Sequence, residues 1–206
     1  NALGQPTKAV GPLGREVRMT YAPNGIDLLQ VEQRTGPGPT DFETLSDFVY
    51  DADNDGFDDF PHLPSLIEGA DGVLLDMAYN SKGQIRSVTR KVPDGQGGHT
   101  ADGTTDYTYA TSGTGETYGF LQKVEGPAFD GQRPTTTYTY DAYGRVRTAT
   151  DTDDFTLTYE YDDLDRITRV SYPDGTFIAQ LYEPFSEGLD LVGSIDRMGR
   201  LNQFHH

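Results

Sequence analysis

The most regular stretches of the chain alternate aromatic residues with threonine, and each such stretch ends in a short polar turn. In Thr137-Tyr-Thr-Tyr140 the alternation places Tyr138 and Tyr140 on one face of a strand and the threonines on the other. Asp141-Ala-Tyr-Gly144 supplies an aspartate for the first turn position and a glycine where the chain needs positive φ. The pattern predicts a β-hairpin whose second strand begins at Arg145-Val146.

This hairpin pattern recurs along the chain. A near copy, Thr158-Tyr-Glu-Tyr-Asp-Asp-Leu-Asp-Arg-Ile167, has Asp165 in place of the glycine, which is acceptable because aspartate tolerates the left-handed region. The tyrosines in equivalent positions are Tyr21, Tyr50, Tyr79, Tyr109, Tyr140, Tyr161 and Tyr182. The recurrence predicts an all-β fold, an antiparallel β-hairpin repeat array over 1–206, with partial repeats at both ends and an irregular acidic insertion at about 36–73.

One spacing in the return strands conflicts with simple alternation. Apolar residues there lie three apart, so they cannot share a face on a regular strand: Ile85 and Val88, Val146 and Ala149, Ile167 and Val170. A bulge that recurs in each repeat would restore a common face, and a short helix is the competing interpretation. We favour the bulge because runs this short and rich in threonine and arginine are poor helix formers.

Other segments are assigned from the same signals. Strands are predicted over Glu16 to Tyr21, over Ile26 to Gln33 and through Phe48 and Tyr50, and a polar loop over Pro93 to Gly103. Leu, Ile, Val and Phe make up only about a fifth of the chain. Thirteen tyrosines compensate, so we expect an ordered protein with a shallow core in which tyrosine rings stack from repeat to repeat.

The motif Tyr-x-Tyr-Asp-x-x-Gly-Arg at 138–145, followed by an apolar residue, resembles the YD repeat of the Rhs (rearrangement hotspot) family. Similar repeats occur in toxin-complex shells and teneurins, and Tyr172-Pro-Asp-Gly-Thr176 resembles the family's connecting turn. The resemblance implies a β-sheet strip that spirals into a hollow shell, with roles in carbohydrate binding or in enclosing a toxic polypeptide. About seven repeats are too few to enclose a protein, so we expect a structural scaffold.

The location and partners are predicted from the family and the charge. The resemblance favours an extracellular or cell-surface protein. Its expected partners are neighbouring repeats or copies of itself, because Asn1-Ala-Leu-Gly4 and Asp196 to Leu201 both match the turn motif. Carbohydrate is the alternative partner. A net charge of −17 disfavours nucleic acid, and no apolar run reaches the ~20 residues of a membrane span. His205 and His206 are interpreted as the start of a purification tag.

The sharpest local motif is the acidic stretch Asp51-Ala-Asp-Asn-Asp-Gly-Phe-Asp-Asp59. Side-chain oxygens at positions 1, 3, 5 and 9, a glycine at 6 and a backbone carbonyl at 7 are typical of a Ca²⁺ loop. The predicted ligands of a structural Ca²⁺ are Asp51, Asp53, Asp55, Phe57 and Asp59. Position 12 is His62 instead of the glutamate of an EF-hand, so a solvated acidic turn is the alternative.

No catalytic site is predicted. The chain has 33 acidic residues, so carboxylate pairs at glycosidase separation arise by chance. His62 and His99 lie in loop-like sequence, without a serine or cysteine nucleophile motif nearby. We therefore expect no enzyme activity. A calcium-assisted carbohydrate-binding module and a fragment of a toxin-enclosing shell are the alternatives to a self-assembling scaffold.

Overall fold

A computed structural model describes residues 1–50, 60–111, 118–183 and 189–204. This part of the chain forms sixteen β-strands and no helix. The described residues therefore contain no helix that could cross a membrane. The strands are β1 Lys8–Val10, β2 Glu16–Tyr21, β3 Leu28–Arg34, β4 Phe42–Val49, β5 Leu66–Gly69, β6 Leu74–Tyr79, β7 Ile85–Pro93, β8 His99–Tyr109, β9 Leu121–Glu125, β10 Thr135–Tyr140, β11 Val146–Asp151, β12 Thr156–Tyr161, β13 Ile167–Ser171, β14 Phe177–Tyr182, β15 Leu191–Ile195 and β16 Leu201–Gln203. Their order in the sheet is their order in the chain, which confirms the antiparallel hairpin array.

The repeat tyrosines mark the ends of the even-numbered strands. Six of these strands end at a repeat tyrosine, and β4 ends at Val49, immediately before Tyr50. The predicted phase of the repeat is therefore confirmed in every even strand from β2 to β14.

The recurring bulge is also confirmed. Tyr140 pairs with Val146 but the preceding Thr139 pairs with Thr148, so Arg147 is the extra residue of β11. The same shift occurs at Tyr21, Tyr79, Tyr161 and Tyr182. The bulge places apolar residues three apart on one face of the return strand, because one residue between them is left out of the ladder.

The chain divides into two compact units, which are described separately: unit 1 is Asn1–Asp106 and unit 2 is Tyr107–His206. Within each unit successive turns alternate between the two ends of the strands. We call the end that carries the turns after even-numbered strands the Tyr-Asp edge, and the end that carries the turns after odd-numbered strands the connecting edge. In unit 2 the turns at 141–145 and 162–166 lie at the Tyr-Asp edge, and those at 126–134, 152–155, 172–176 and 196–200 lie at the connecting edge.

Two assignments from the sequence are corrected. The polar loop predicted over Pro93 to Gly103 is confined to a turn, because β8 begins at His99 and pairs with β7. The glycine and aspartate residues of this segment are typical of loops, but the ladder hydrogen bonds of β8 come from the backbone and do not depend on them. Within the acidic insertion at 36–73, β4 contains Phe48 of the predicted strand, and β5 is a further strand whose four residues are too few for an alternation signal.

The described residues form a shallow core, as expected. Among them the buried apolar side chain is that of Ala110, 3% exposed, and Asp27 and Ser65 are the buried polar residues. No large side chain of the described part is fully enclosed. Stability must therefore come largely from contacts between neighbouring hairpins, as in other repeat arrays.

Candidate functional site

All five predicted calcium ligands, Asp51, Asp53, Asp55, Phe57 and Asp59, lie outside the described residues, as do His205 and His206. Within the described ranges, no three histidine or carboxylate side chains are grouped as metal ligands would be. The candidate site of the described part is the turn at 141–145, whose hydrogen bonds recur at 162–166 and 196–200.

The aspartate organises each of these turns. Asp141 Oδ1 accepts hydrogen bonds from the backbone N–H groups of Tyr143 at 2.9 Å and Arg145 at 3.0 Å, and Oδ2 accepts one from Arg145 Nε at 2.7 Å. Asp162 and Asp196 make the same three bonds in their own turns. Partial burial would raise the pKa of Asp141, but the bonds from Arg145 and the backbone outweigh it and hold that pKa below its usual value.

The arginine connects one turn to the next at the Tyr-Asp edge. Arg145 Nη1 donates to the backbone oxygen of Asp162 at 3.0 Å and to Asp165 Oδ1 at 2.9 Å. Arg166 Nη1 in turn donates to the backbone oxygen of Leu189 at 2.8 Å. Arg145 and Arg166 therefore link successive turns at this edge, in addition to pairing with the aspartates of their own turns.

Arg15 and Arg200 occupy the corresponding position in two further turns but differ from Arg145 and Arg166. Arg200 pairs with Asp196 at 2.7 Å, but its side chain remains 70% exposed. Arg15 forms no ion pair with any residue that the structure describes. Both lie at the connecting edge of their units, and neither side chain bonds a neighbouring turn among the described residues.

The repeat tyrosine bonds back to the strand that precedes its own. Tyr161 Oη donates to the backbone oxygen of Val146 at 2.8 Å, and Tyr140 Oη to that of Leu121 at 2.7 Å. In each case the acceptor is the first residue of the preceding strand, beyond the last ladder pair. Burial raises the pKa of both phenols. The hydroxyl therefore serves as a substitute for a ladder hydrogen bond at the end of the sheet.

Unit 1 carries a neutral version of the turn. In Asn80-Ser-Lys-Gly-Gln84 the Asn80 Oδ1 accepts from the backbone N–H groups of Lys82 and Gln84, and Nδ2 donates to Gln84 Oε1 at 2.9 Å. Asn1 repeats the backbone bonds and reaches the next turn by donating from Nδ2 to the Gly25 oxygen at 2.7 Å. The hydrogen-bond pattern therefore survives replacement of both charges.

The predicted stacking of tyrosine on tyrosine is wrong. None of the described repeat tyrosines has its ring against another, because equivalent tyrosines are two strands apart, about 9 to 10 Å at the usual strand spacing. Other groups fill the intervening space: the Phe120 ring lies 4.9 Å from that of Tyr140, and the Arg145 guanidinium lies 4.7 Å from the ring of Tyr161. Along this face the repeat tyrosines therefore alternate with an arginine or a phenylalanine side chain.

A glycine allows one of these contacts. Gly144 has φ +82°, and a Cβ placed on it would lie 2.9 Å from Phe120 Cζ. Gly25 is similar, since its Cβ would lie 3.1 Å from Leu3 Cδ1. At these positions glycine is needed both for the left-handed backbone and for the close approach of a side chain from the preceding turn.

One polar cluster in unit 1 had no signal in the sequence. Asp27 is only 5% exposed, and its carboxylate accepts from Asn24 Nδ2 and lies 2.7 Å from His62 Nδ1. Burial would raise the pKa of Asp27, but the bonds from Asn24 and His62 outweigh it and lower that pKa. The cluster holds the residues that follow the acidic stretch against the turn after β2.

The donors of these turns are engaged by acceptors within the chain, so the arrangement joins hairpins. Fold and turns together define an all-β hairpin repeat protein. Residues 140–176 match the family described as RHS Repeat, which confirms the resemblance over that segment. No curated protein matches the chain significantly.

Solved structures share the fold. The crystal structure of TcdB2-TccC3 without its hypervariable C-terminal region superposes with a TM-score of 0.59 at 15% identity, over 94% of this chain and 10% of that one. The Tc holotoxin pore of Photorhabdus luminescens, with a mutation in TccC3, gives a TM-score of 0.58 at 16% identity, over 88% and 9% of the two chains. The chain thus spans about a tenth of the length of the structures that it matches.

Proposed function

We propose that the chain is a structural section of an RHS-type scaffold, extracellular or exposed at a cell surface, in which each hairpin is held by its neighbours. The observation that carries this proposal is the bond from Arg145 Nη1 to the Asp162 oxygen, repeated from Arg166 to Leu189. Arginine fork donors that are fixed on the next turn act as connectors between repeats. A single array over 1–206 is part of the proposal.

The scaffold is proposed to extend by strand addition. β1 and β16 are the outermost strands in the sheet order, and all their residues are exposed. Unpaired N–H and C=O groups on such edges are templates for another strand. The proposed partner is therefore a further hairpin array, such as another copy of the chain.

The acidic stretch supplies the proposed metal site. A structural Ca²⁺ held by Asp51, Asp53, Asp55, Phe57 and Asp59 would join oxygen ligands within one short segment. Support comes from the sequence alone. His62 lies just after this stretch, and its pairing with Asp27 would fix the outgoing end of the stretch.

Light scattering on a sizing column, with negative-stain imaging, tests the scaffold in Ca²⁺ and in EDTA. We expect oligomers that grow with concentration in Ca²⁺ and dissociate in EDTA. Monomers under both conditions at high concentration would contradict self-assembly and the metal's part in it. Protease accessibility of the chain on intact producing cells tests its location, since an internal scaffold would be protected until lysis.

Two other functions follow from the family resemblance. The fold similarity to TcdB2-TccC3 favours a section of a larger toxin-enclosing shell, and this version predicts that flanking repeats, rather than copies of the chain, cover β1 and β16. Calcium-assisted carbohydrate binding is the remaining candidate. It predicts retention on polysaccharide columns that is lost in EDTA, and lack of retention on any of them would count against it.

A further inference from the structure

Arginine side chains in this chain bind aromatic rings and carboxylates together. Six guanidinium groups lie 3.6 to 4.7 Å from a ring centroid and within 4.0 Å of a carboxylate oxygen. They belong to Arg18, Arg34, Arg145, Arg166, Arg169 and Arg197. We call a ring and a carboxylate that together receive a guanidinium an arginine seat. The seats combine a cation–π contact with a charge-assisted hydrogen bond or a close ion pair.

The seat of Arg197 shows this chemistry at the connecting edge of unit 2. Its guanidinium lies 4.0 Å from the centroid of Tyr172, Nη2 donates to Asp174 Oδ2 at 2.7 Å and Nε donates to Thr176 Oγ1 at 3.0 Å. Arg197 comes from the next turn along the same edge. A turn of the connecting edge can therefore receive an arginine that arrives from outside it.

The preceding turn of this edge has the carboxylate of such a seat, although Asp151 and Phe155 stand where Tyr172 and Thr176 supply the ring and the hydroxyl. Asp153 occupies the position in 151–155 that Asp174 occupies in 172–176. Pro173 stands where Arg197 stands in the following turn, so no arginine is supplied from that side. Among the described residues, none donates a hydrogen bond to the Asp153 carboxylate, which is exposed.

A hollow adjoins this carboxylate. It has a volume of about 250 Å³ and is lined by Phe129, Gln132, Pro134 and Thr152 together with Asp153 and Arg133. Small-molecule pockets usually enclose roughly 300 to 1,000 Å³, so the hollow fits a single side chain better than a whole ligand. The Phe129 ring is 83% exposed in the 126–134 turn, so it is accessible to a side chain from outside.

The charge around the hollow favours a cation. Asp130, Asp151 and Asp154 lie in the same two turns as Asp153. Arg133 is the opposing charge, but its guanidinium is directed at its own turn, with Nε donating to the Gly126 oxygen at 2.8 Å and Nη2 to the Glu125 oxygen at 3.2 Å. Four carboxylates against one guanidinium leave a local field that attracts a positive side chain.

We propose that the hollow between Phe129 and Asp153 is an arginine seat for a partner protein, which inserts an arginine side chain from an exposed segment. The guanidinium lies against the Phe129 ring and donates to the Asp153 carboxylate. Arginine is preferred to lysine because its planar fork can stack on a ring and bind a carboxylate at the same time. This interaction does not depend on the scaffold function or on Ca²⁺.

The probes are three short peptides that are identical except for a central arginine, lysine or citrulline. Each peptide is titrated into the full chain and binding is followed by NMR. The arginine peptide is expected to shift the amide signals of Thr152 and Asp153 and the ring signals of Phe129. Citrulline keeps the shape without the charge and lysine keeps the charge without the fork. We expect about tenfold weaker binding for citrulline and an intermediate value for lysine.

Matched variants test the location. Phe129→Ala and Asp153→Asn are each expected to weaken arginine binding by about tenfold. Tyr143→Ala removes an equally exposed ring, 83% exposed, from the Tyr-Asp edge, and Asp163→Asn removes an exposed charge there. These controls should bind as the unchanged chain does. Equal effects of all four variants, or equal binding of arginine and lysine, would mean attraction by net charge only and would overturn the proposal.

Discussion

Arg145 and Asp162 are joined across two turns of the sheet: the arginine Nη1 lies 3.0 Å from the aspartate backbone oxygen while its Nε bonds the aspartate of its own turn. One side chain thereby couples the order of one turn to that of the next. This is the nearest-neighbour coupling that stabilises repeat arrays.

Replacing this link should lower the stability of unit 2. Arg145→Lys keeps the charge but loses the fork that serves Asp141 and Asp162 together. We expect a lower urea midpoint for this variant than for Arg147→Lys, which changes the exposed extra residue of the bulge in β11, the strand that follows the turn. Equal midpoints for the two variants would refute the coupling.

The tyrosine hydroxyl is expected to stabilise the sheet end. Tyr161→Phe removes the bond to the Val146 oxygen and should cost about 0.5 to 1.5 kcal/mol in the free energy of unfolding. Tyr159 lies on the same face of β12, and none of the described residues bonds its hydroxyl, so Tyr159→Phe is the matched control. A control that loses as much stability as Tyr161→Phe would show that the measured effect is not the hydrogen bond.

Two glycines with the same backbone conformation separate strain from crowding. Gly144 and Gly175 both have φ +82°, but a Cβ would lie 2.9 Å from Phe120 at the first and meet nothing within 4 Å at the second. Gly175→Ala should cost roughly 1 to 2 kcal/mol for the left-handed backbone alone. Gly144→Ala should cost roughly 1 to 3 kcal/mol more, because Phe120 must move. The prediction fails if chemical denaturation gives equal values.

Glu16 makes unit 1 sensitive to acid. Hydrogen bonds from Lys8 and Arg34 lower the pKa of Glu16 from 4.5 to about 2. A lowered pKa favours the charged form in the folded state, so its stabilisation is complete above about pH 4.5 and is lost as the pH falls toward 2.

The difference in unfolding free energy between the unchanged chain and Glu16→Gln should therefore shrink over that range. Glu43→Gln, at an exposed position without an ion pair among the described residues, is the control. A Glu16→Gln difference that stays constant from pH 7 to pH 2 would contradict the assignment.

The proposed calcium loop depends on its central aspartates. Asp53→Asn and Asp55→Asn each remove a charged oxygen ligand and should weaken Ca²⁺ binding in calorimetric titrations by tenfold or more, about 1.4 kcal/mol. Asp163→Asn changes the net charge equally, away from the loop. Binding that is absent in the unchanged chain would remove the metal from the proposal and leave the hairpin scaffold intact.

The sequence predicts the local part of this structure well. The ends of the even strands and the bulge beside Tyr140 both follow from residues within one hairpin. The link from Arg145 to Asp162 does not, because it depends on how closely successive turns approach one another. The prediction of tyrosine stacking failed for the same reason. Spacing along the chain shows that the rings occupy equivalent positions in their repeats, but it does not show that two strands separate one ring from the next.

Contacts between residues that are far apart in the chain have no recognisable pattern in the sequence. Asp27 and His62 are 35 residues apart, and each lies in sequence typical of an ordinary polar turn. β5 is short and bounded by turns, so its assignment required the neighbouring strands that pair with it. The calcium loop stays a prediction.

The strand order, in which every strand follows its predecessor without a crossover, has an evolutionary consequence. Duplication or deletion of a two-strand segment, such as the 21 residues between Tyr140 and Tyr161, leaves every remaining connection short and every ladder antiparallel. Only the contacts at the junction have to be remade, and the arginine and tyrosine of each turn carry them. Arrays of this kind can therefore change length by simple recombination within a gene without passing through an unfolded ancestor.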